Sequence, residues 1–198
     1  MRLVSLARLA VVAVPALALG GCLDASVAVM VTGQDAAEVV VTQTMDADFY
    51  AMMQLNAEKA EEGEAAEFCA GGTLSENQDR SVTCTLGSAG DFPRLIEASG
   101  GVLELSSEAD GTARIELALP RVRELIGAAQ ESAGGQEMLD AFFSGHELTV
   151  SFGGGEILDS NMEPAEDGST VAAVIPLLDI INGTGDWPEV LYAVVAVP

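Results

Sequence analysis

The alternation of apolar and polar residues along the chain predicts a protein built mainly from strands. Between Leu23 and Gly33, alanine and valine occupy every second position, which is the period of a strand with one buried face. The β-branched segment Glu38–Thr44 follows after a short polar link, so we expect the two segments to form an antiparallel hairpin. Similar patterns predict further strands at Arg80–Leu86, Val102–Ser106, Ala113–Leu119, Glu147–Phe152, Glu156–Asp159, Ser169–Ile175 and Glu189–Val197.

Helical patterns occur in shorter stretches between these strands. Asp46 or Asp48 can cap a helix that continues to about Ala60, and Asp91–Ala98 predicts a short helical turn. Pro120 suits the first turn of another helix, and a further helical piece follows Gly134-Gly135. The apolar residues of these last two pieces are Val122, Leu125, Ile126, Ala129, Met138, Leu139, Phe142 and Phe143. The pattern as a whole predicts an α+β fold with a mostly antiparallel sheet and two or three helices packed on it.

The segment before the first strand has the features of an export signal. Arg2 and Arg8 accompany an uncharged apolar run, Leu9–Leu19. As a helix, this run is too short to cross a hydrocarbon core of about 30 Å, which takes about 20 residues. An ordinary secretory signal would not need a cysteine directly after two small residues. These points disfavour an uncut membrane helix and an ordinary secretory signal.

The four residues Leu19-Gly20-Gly21-Cys22 resemble the processing site of bacterial lipoproteins. The resemblance implies cleavage before Cys22, a diacylglycerol thioether on its sulfur and an acyl chain such as palmitate on the new amino terminus. Residues 1–21 are then the signal peptide, and residues 22–198 form a single extracytoplasmic lipoprotein domain. Two or three acyl chains hold a protein firmly on a membrane, and we expect no cofactor besides this covalent lipid.

The residue after the cysteine bears on which membrane holds the protein. In Gram-negative lipoproteins an aspartate in that position often signals retention in the inner membrane. Here Leu23 occupies it and the aspartate is Asp24. For a Gram-negative cell, the sequence therefore favours the outer membrane, with the domain facing the periplasm, over the inner membrane.

The charge balance excludes one large class of partners. The chain contains 8 Lys and Arg against 31 Asp and Glu, a formal net charge of -23 at pH 7. Nucleic-acid binding depends on clustered basic residues, so we exclude nucleic acid as a partner. A negative surface is also repelled by anionic lipid headgroups. Attachment to the membrane is therefore expected to depend on the acyl chains.

The two cysteines that remain after Cys22 suit a disulfide. An even pair in an exported domain is typically oxidised, and a bridge between Cys69 and Cys84 would stabilise the fold by roughly 3 kcal/mol. A buried pair of free thiols remains the alternative. His146 is the only histidine, and its position before a strand favours a turn or edge residue over a general base. No catalytic or metal site is predicted.

The order of motifs in the mature chain is similar to that of LppM-type bacterial lipoproteins. Cys22 is followed at once by a hairpin, and the later motifs are Leu148–Phe152, Gly155-Glu156-Ile157, Ser160-Asn161 and Asp167–Val171. The resemblance implies an α+β envelope domain with a curved, mostly antiparallel sheet and helices on one face, and it suggests contact with lipids or glycolipids. Cys69 and Cys84 depart from that layout.

Two hypotheses for function follow. The first is a non-enzymatic binding domain for an apolar or amphipathic ligand, held between the sheet and the helices. The second is a structural or assembly partner of another envelope protein, which would use an acidic face. The expected partners are thus the membrane, through the lipid anchor, and a lipid or an envelope protein. The residues that would bind the ligand in the first case are Val122, Leu125, Ile126, Met138, Phe142 and Phe143.

Overall fold

A computed structural model describes residues 23–57, 68–108, 111–130, 143–166 and 168–197. These ranges contain eleven strands and four helices. In chain order they are β1 Leu23–Gly33, β2 Ala36–Met45, α1 Ala47–Ala57, β3 Thr73–Glu76, β4 Val82–Asp91, α2 Phe92–Ala98, β5 Leu103–Ser107, β6 Thr112–Ala118, α3 Leu119–Gln130, β7 Glu147–Gly153, β8 Ile157–Ser160, β9 Glu163–Pro164, β10 Thr170–Pro176, α4 Leu177–Asn182 and β11 Val190–Ala196.

The strands form two sheets. The larger has seven strands in the order β3-β4-β2-β1-β7-β10-β9, and the smaller has four in the order β5-β6-β11-β8. Every neighbouring pair is antiparallel except β1 and β7, which are parallel. The α+β prediction is confirmed. The structure has two sheets, whereas the sequence pattern predicted one. Alternation of apolar and polar residues identifies a strand, but it does not show which other strand that strand pairs with.

The first hairpin shows why these residues form strands. β1 pairs with β2 from Leu23 opposite Met45 to Val31 opposite Ala37. Along β1, Ala25, Val29 and Val31 are buried and Val27, on the same face, packs half-buried against the same core, while the residues of the other face are half-buried or exposed. This is the predicted period of two, because successive side chains of a strand point to opposite faces of the sheet.

One hydrophobic cluster joins both sheets and three of the helices. All its members are at most 9 % exposed, and burying each large apolar side chain contributes about 1.5–3 kcal/mol. The cluster includes Val29, Val150 and Phe152 of the larger sheet, Ile115, Leu191 and Val195 of the smaller sheet, and Leu95, Ile126 and Ile180 of the helices.

A triple-glycine link carries the chain from the larger sheet to the smaller one. Gly153 ends β7, and Gly154 has a φ of 110°. A Cβ on Gly154 would lie 2.1 Å from the carbonyl oxygen of Val31, and one on Gly155 would lie 1.9 Å from that of Ala196. Only glycine fits here, because the link passes between the ends of β1 and β11.

Some elements extend or add to the predicted ones. β4 continues five residues past the predicted end at Leu86, and the α3 helix begins at Leu119, close to the predicted start at Pro120. β3, β9 and α4 lie in stretches for which no element was predicted, because they are only four, two and six residues long. Of the predicted helical piece beyond Gly134-Gly135, only Phe143 lies within the described residues. None of the helices in the described ranges is long and apolar enough to span a membrane.

Candidate functional site

A polar cleft of about 340 Å³ opens on the larger sheet, where β1, β2 and β7 lie side by side. Its lining consists of two carboxylates, four hydroxyl side chains and two small residues. They are Asp24, Glu147, Ser26, Thr42, Thr44, Thr149, Ala25 and Gly145. The polar side chains alternate with the buried residues of the same strands, so the cleft lies on the face of the sheet that points away from the core.

The strand register brings the hydroxyl groups together. Ser26 is opposite Thr42 on one side and Thr149 on the other. Two residues earlier on β1, and on the same face of the sheet, Asp24 is opposite Thr44. Because neighbouring strands are about 4.8 Å apart, these side chains form a compact set of hydrogen-bonding groups.

The same pattern continues beyond the cleft onto β4 and β3. Thr85 is opposite Thr42, and Thr83 is opposite Thr44. The hydroxyl oxygens of Thr44 and Thr83 are 3.1 Å apart and share a hydrogen bond. On β3, Thr73 and Ser75 are opposite Thr85 and Thr83. We call this set of serine and threonine side chains the hydroxyl face; it consists of Ser26, Thr42, Thr44, Thr73, Ser75, Thr83, Thr85 and Thr149.

Asp24 is fixed at one edge of the cleft by the start of β7. Its Oδ1 accepts a hydrogen bond from the backbone N–H of Glu147 at 3.0 Å and lies 3.2 Å from Nδ1 of His146. The Asp24 side chain stays 60 % exposed, whereas that of His146 is 16 % exposed. The backbone carbonyl of His146 also accepts from the N–H of Leu177. His146 therefore ties together the ends of β1, β7 and α4.

The electrostatic character of the cleft is negative. Among the residues that the structure describes, its lining contains the carboxylates of Asp24 and Glu147 and no lysine or arginine. Carboxylates only accept hydrogen bonds, while hydroxyls both donate and accept. The cleft therefore suits a ligand that donates several hydrogen bonds and carries no negative charge.

A second polar cluster lies on the smaller sheet. Arg114 donates to Oε1 of Glu116 at 2.6 Å and holds its guanidinium 4.4 Å from the ring centroid of Tyr192. The hydroxyl of Tyr192 donates to Oδ2 of Asp159 at 3.1 Å, and this bond is the main cause that raises the pKa of Tyr192. The hydrogen bond to Glu116 likewise raises the pKa of Arg114. Since its charged groups bind one another, this cluster links β6, β8 and β11.

The structure contains the predicted disulfide. The Sγ atoms of Cys69 and Cys84 are bonded at 2.03 Å, which ties the segment after α1 to β4. Gly72 lies against it, since a Cβ there would be 2.8 and 2.9 Å from the two sulfurs. Cys22, the predicted lipidation site, lies outside the described residues, directly before β1.

Three of the four described residues that were predicted to bind an apolar ligand belong to the core. Val122, Ile126 and Phe143 are at most 4 % exposed and are members of the main hydrophobic cluster. Leu125 is half-buried. Met138 and Phe142 lie outside the described residues. Ligand binding by this set stays a prediction.

The cleft residues were missed at the sequence level. The available signal was the hydroxyl at every second position, as in Thr42-Gln43-Thr44 and Thr83-Cys84-Thr85. That pattern alone describes any solvated strand face. The pairing that creates the cleft joins Ser26 to Thr149, far apart in the chain.

Within the described ranges, no group of three or more His, Cys, Asp or Glu side chains could hold a metal ion.

By its fold, the chain is an α+β protein of two sheets with a polar cleft on the larger one. No protein-family model matches its sequence, and no curated protein matches it. Among solved structures it is similar to the NMR structure of the folded domain of LppM from Mycobacterium tuberculosis. The TM-score is 0.42 and the identity 14 %, over 90 % of this chain and 91 % of that one. The resemblance to LppM-type lipoproteins is thus confirmed as a weak structural similarity.

Proposed function

We propose that the protein is a lipid-anchored, non-enzymatic envelope protein that binds the polar head of an amphipathic ligand in the cleft described above. The observation that carries this proposal is the place of the cleft. Asp24 lines it, and Asp24 is two residues after Cys22 in the sequence. Two extended residues span at most about 7 Å, so a lipidated Cys22 would keep the cleft beside the membrane surface.

The position of the cleft decides how an amphipathic ligand would be shared between protein and membrane. The polar region on each side of a bilayer is about 5–8 Å thick, comparable to the reach from Cys22 to Asp24. The head of a membrane lipid can therefore enter the cleft while its chains stay in the bilayer. This arrangement needs no apolar cavity in the protein, which agrees with the burial of Val122, Ile126 and Phe143 in the core.

The chemistry of the lining narrows the ligand class. Asp24 and Glu147 would repel a phosphate or carboxylate, and no basic residue in the described part of the lining offsets them. Hydroxyl groups or an ammonium group of the ligand can donate to the carboxylates and exchange hydrogen bonds with Ser26, Thr42 and Thr149. The proposed ligand is thus a membrane lipid with a neutral, hydroxyl-rich head or a positively charged head.

The test is native mass spectrometry of the full-length protein, processed in a bacterial host and extracted in a mild detergent. We expect an added mass that organic solvent removes. The cleft variant is Ser26→Ala combined with Thr149→Val, which removes two hydroxyls while nearly preserving shape. At about 1 kcal/mol for each lost hydrogen bond, it should bind the ligand about 30-fold more weakly.

Thr85→Val is the matched control, because Thr85 lies on the hydroxyl face but outside the cleft lining. It should keep the added mass. A wild-type protein that carries only its covalent lipid would contradict the ligand proposal and favour an assembly role. Equal loss of ligand in the control and the cleft variant would place the binding site elsewhere.

A further inference from the structure

Arg80 is held in an unusual backbone conformation by a hydrogen-bonded turn between β3 and β4. Its φ is 70°, the left-handed region, and among the described residues it is the only one besides glycine with a positive φ. The N–H of Arg80 donates to the carbonyl of Asn77 at 2.9 Å, and the N–H of Asn77 donates to that of Ser81 at 2.8 Å. A flexible loop would relax this conformation, so the turn presents Arg80 at a fixed place.

Side chains stiffen the same turn. Oδ1 of Asp79 accepts from the N–H of Ser81 at 3.0 Å and from its hydroxyl at 2.7 Å. These bonds lower the pKa of Asp79. The amide of Asn77 donates to the hydroxyls of Ser81 and Thr83, both at 2.9 Å. The Asp79 carboxylate is thus engaged with Ser81.

The turn lies at the end of the sheet from which the lipid anchor would leave. Val82, the first residue of β4, is opposite Met45, and Met45 is opposite Leu23. Leu23 directly follows Cys22. Arg80 precedes Val82 by two residues, so it projects beyond the sheet at the same end as the anchor. Since β2 alone separates β4 from β1, the two chain segments are about 10 Å apart.

Of the five arginines that the structure describes, three have a polar partner for the side chain, whereas Arg80 and Arg94 have none among the described residues. Arg114 and Arg121 form ion pairs with Glu116 and Glu124, and Arg123 donates to the carbonyl of Ile180. The exposed Arg80 has no carboxylate within ion-pair distance among the residues that the structure describes. Of these two arginines, Arg80 is the one at the end of the sheet from which the anchor would leave, and Arg94 lies at the opposite end.

We propose that the guanidinium of Arg80 binds the phosphate of phospholipid headgroups in the membrane that holds Cys22. This contact rests on the lipid anchor proposed above, and it would add a second fixed point that sets the orientation of the domain. The planar guanidinium donates two parallel hydrogen bonds to a phosphate. Asp24, Asp46 and Glu147 lie at the same end and repel an anionic surface. The attraction is therefore local to Arg80 and separate from the cleft.

The test compares Arg80 with Arg94 in the same molecules. Arg94 is exposed and lies on α2, which follows Asp91, the partner of Ala36 at the opposite end of the sheet. The acylated full-length protein is placed in dodecyl maltoside micelles, on phosphatidylcholine vesicles and on galactolipid vesicles without phosphate. Each sample is then treated with phenylglyoxal, and modification of each arginine is followed by peptide mass spectrometry.

We expect Arg80 to react about fivefold more slowly on phosphatidylcholine than in the two phosphate-free settings, with Arg94 unchanged in all three. Equal rates for Arg80, or equal slowing on galactolipid, would overturn the phosphate contact. The intact mass separates the two proposals. Absence of acyl chains on Cys22 overturns the anchor and this contact together, whereas an acylated protein with unprotected Arg80 overturns the contact alone.

A variant that keeps the turn tests the orientation directly. Glycine adopts a positive φ without strain, so Arg80→Gly should fold with an unchanged or higher Tm. On phosphatidylcholine vesicles its domain should wobble through a wider angle than the wild type and Arg94→Gln, as measured by the anisotropy decay of Trp187, the single tryptophan. Equal wobble in all three proteins would refute the orienting role of Arg80.

Discussion

At some glycines of this fold, contacts with a few neighbouring atoms decide whether a side chain can be accommodated. Beside the disulfide, a Cβ on Gly72 would approach the sulfurs of Cys69 and Cys84 and would lie 2.9 Å from the carbonyl oxygen of Thr85. None of these atoms belongs to the free end of a flexible side chain. In contrast, nothing lies within 4 Å of a Cβ at Gly87, which lies on β4.

We therefore expect Gly72→Ala to lower the free energy of unfolding by about 1–3 kcal/mol, the usual cost of forcing an extra methyl group into a packed site. Urea denaturation of the oxidised protein measures this change. Gly87→Ala is the control and should be neutral or slightly stabilising, since alanine restricts the unfolded chain. A Gly72→Ala protein as stable as the control would contradict the packing beside the disulfide.

Tyr192 gives a residue-scale prediction on pH. Its hydrogen bond to Asp159 favours the protonated phenol, with burial and the charge of Asp159 as further causes, so its pKa is raised. The folded protein thus holds this proton more tightly than the unfolded chain. The stabilisation is complete below about pH 10, the usual tyrosine pKa, and is lost as the pH rises through the higher folded value.

The measurement is tyrosinate absorbance during an alkaline titration. Only two tyrosines are present, so Tyr50→Phe leaves Tyr192 as the single reporter. In that background, Asp159→Asn should move the Tyr192 transition to lower pH. An unchanged transition would show that the bond to Asp159 does not control this proton.

At the scale of elements, the sequence predicted individual strands better than their arrangement. The β1–β2 hairpin was predictable because its two segments are adjacent and alternate cleanly. The parallel pairing of β1 with β7 was not, because Ala25 and Leu148 are far apart in the chain and no local signal joins them. The cleft depends on that pairing. This is why the sequence led to apolar helix positions such as Val122, which the structure places in the core.

The triple-glycine link provides an element-scale prediction. Gly154 and Gly168 both have positive φ, at 110° and 65°, but only a Cβ on Gly154 would clash with backbone, at 2.1 Å from the Val31 oxygen. Gly168→Ala should cost about 1–2 kcal/mol from conformation alone. Gly154→Ala adds the clash, so we expect a clearly larger loss, measured by urea denaturation. Equal losses would indicate that the link can move away from β1.

For the whole molecule, charge and architecture act together. The chain holds 31 acidic against 8 basic residues, and the described ion pairs engage only a few of them. Repulsion among the remaining carboxylates opposes the compact state. Hydrophobic burial across the shared core of the two sheets offsets this repulsion.

Salt should therefore stabilise the protein at neutral pH. Raising NaCl from about 0.01 M to about 1 M shortens the screening length from about 30 Å to about 3 Å. We expect Tm to rise by about 2–4 °C, equivalent to about 1 kcal/mol. The control is the same experiment near pH 4, where many carboxylates are protonated and the rise should shrink. A rise of the same size at both pH values would assign it to a general salt effect.

The position of β1 in the middle of the larger sheet has a consequence for the order of folding. β1 is the first described strand, yet one of its two neighbours, β7, begins only at Glu147. A chain that folds from its amino terminus can form the β1–β2 hairpin early, but the β1 edge stays unpaired until β7, which ends at Gly153, is available. Such distant pairing slows folding and leaves an open edge. During this interval the β1 edge is the surface of the nascent domain that is open to pairing with another strand, and any chaperone that protects this domain would need to cover it.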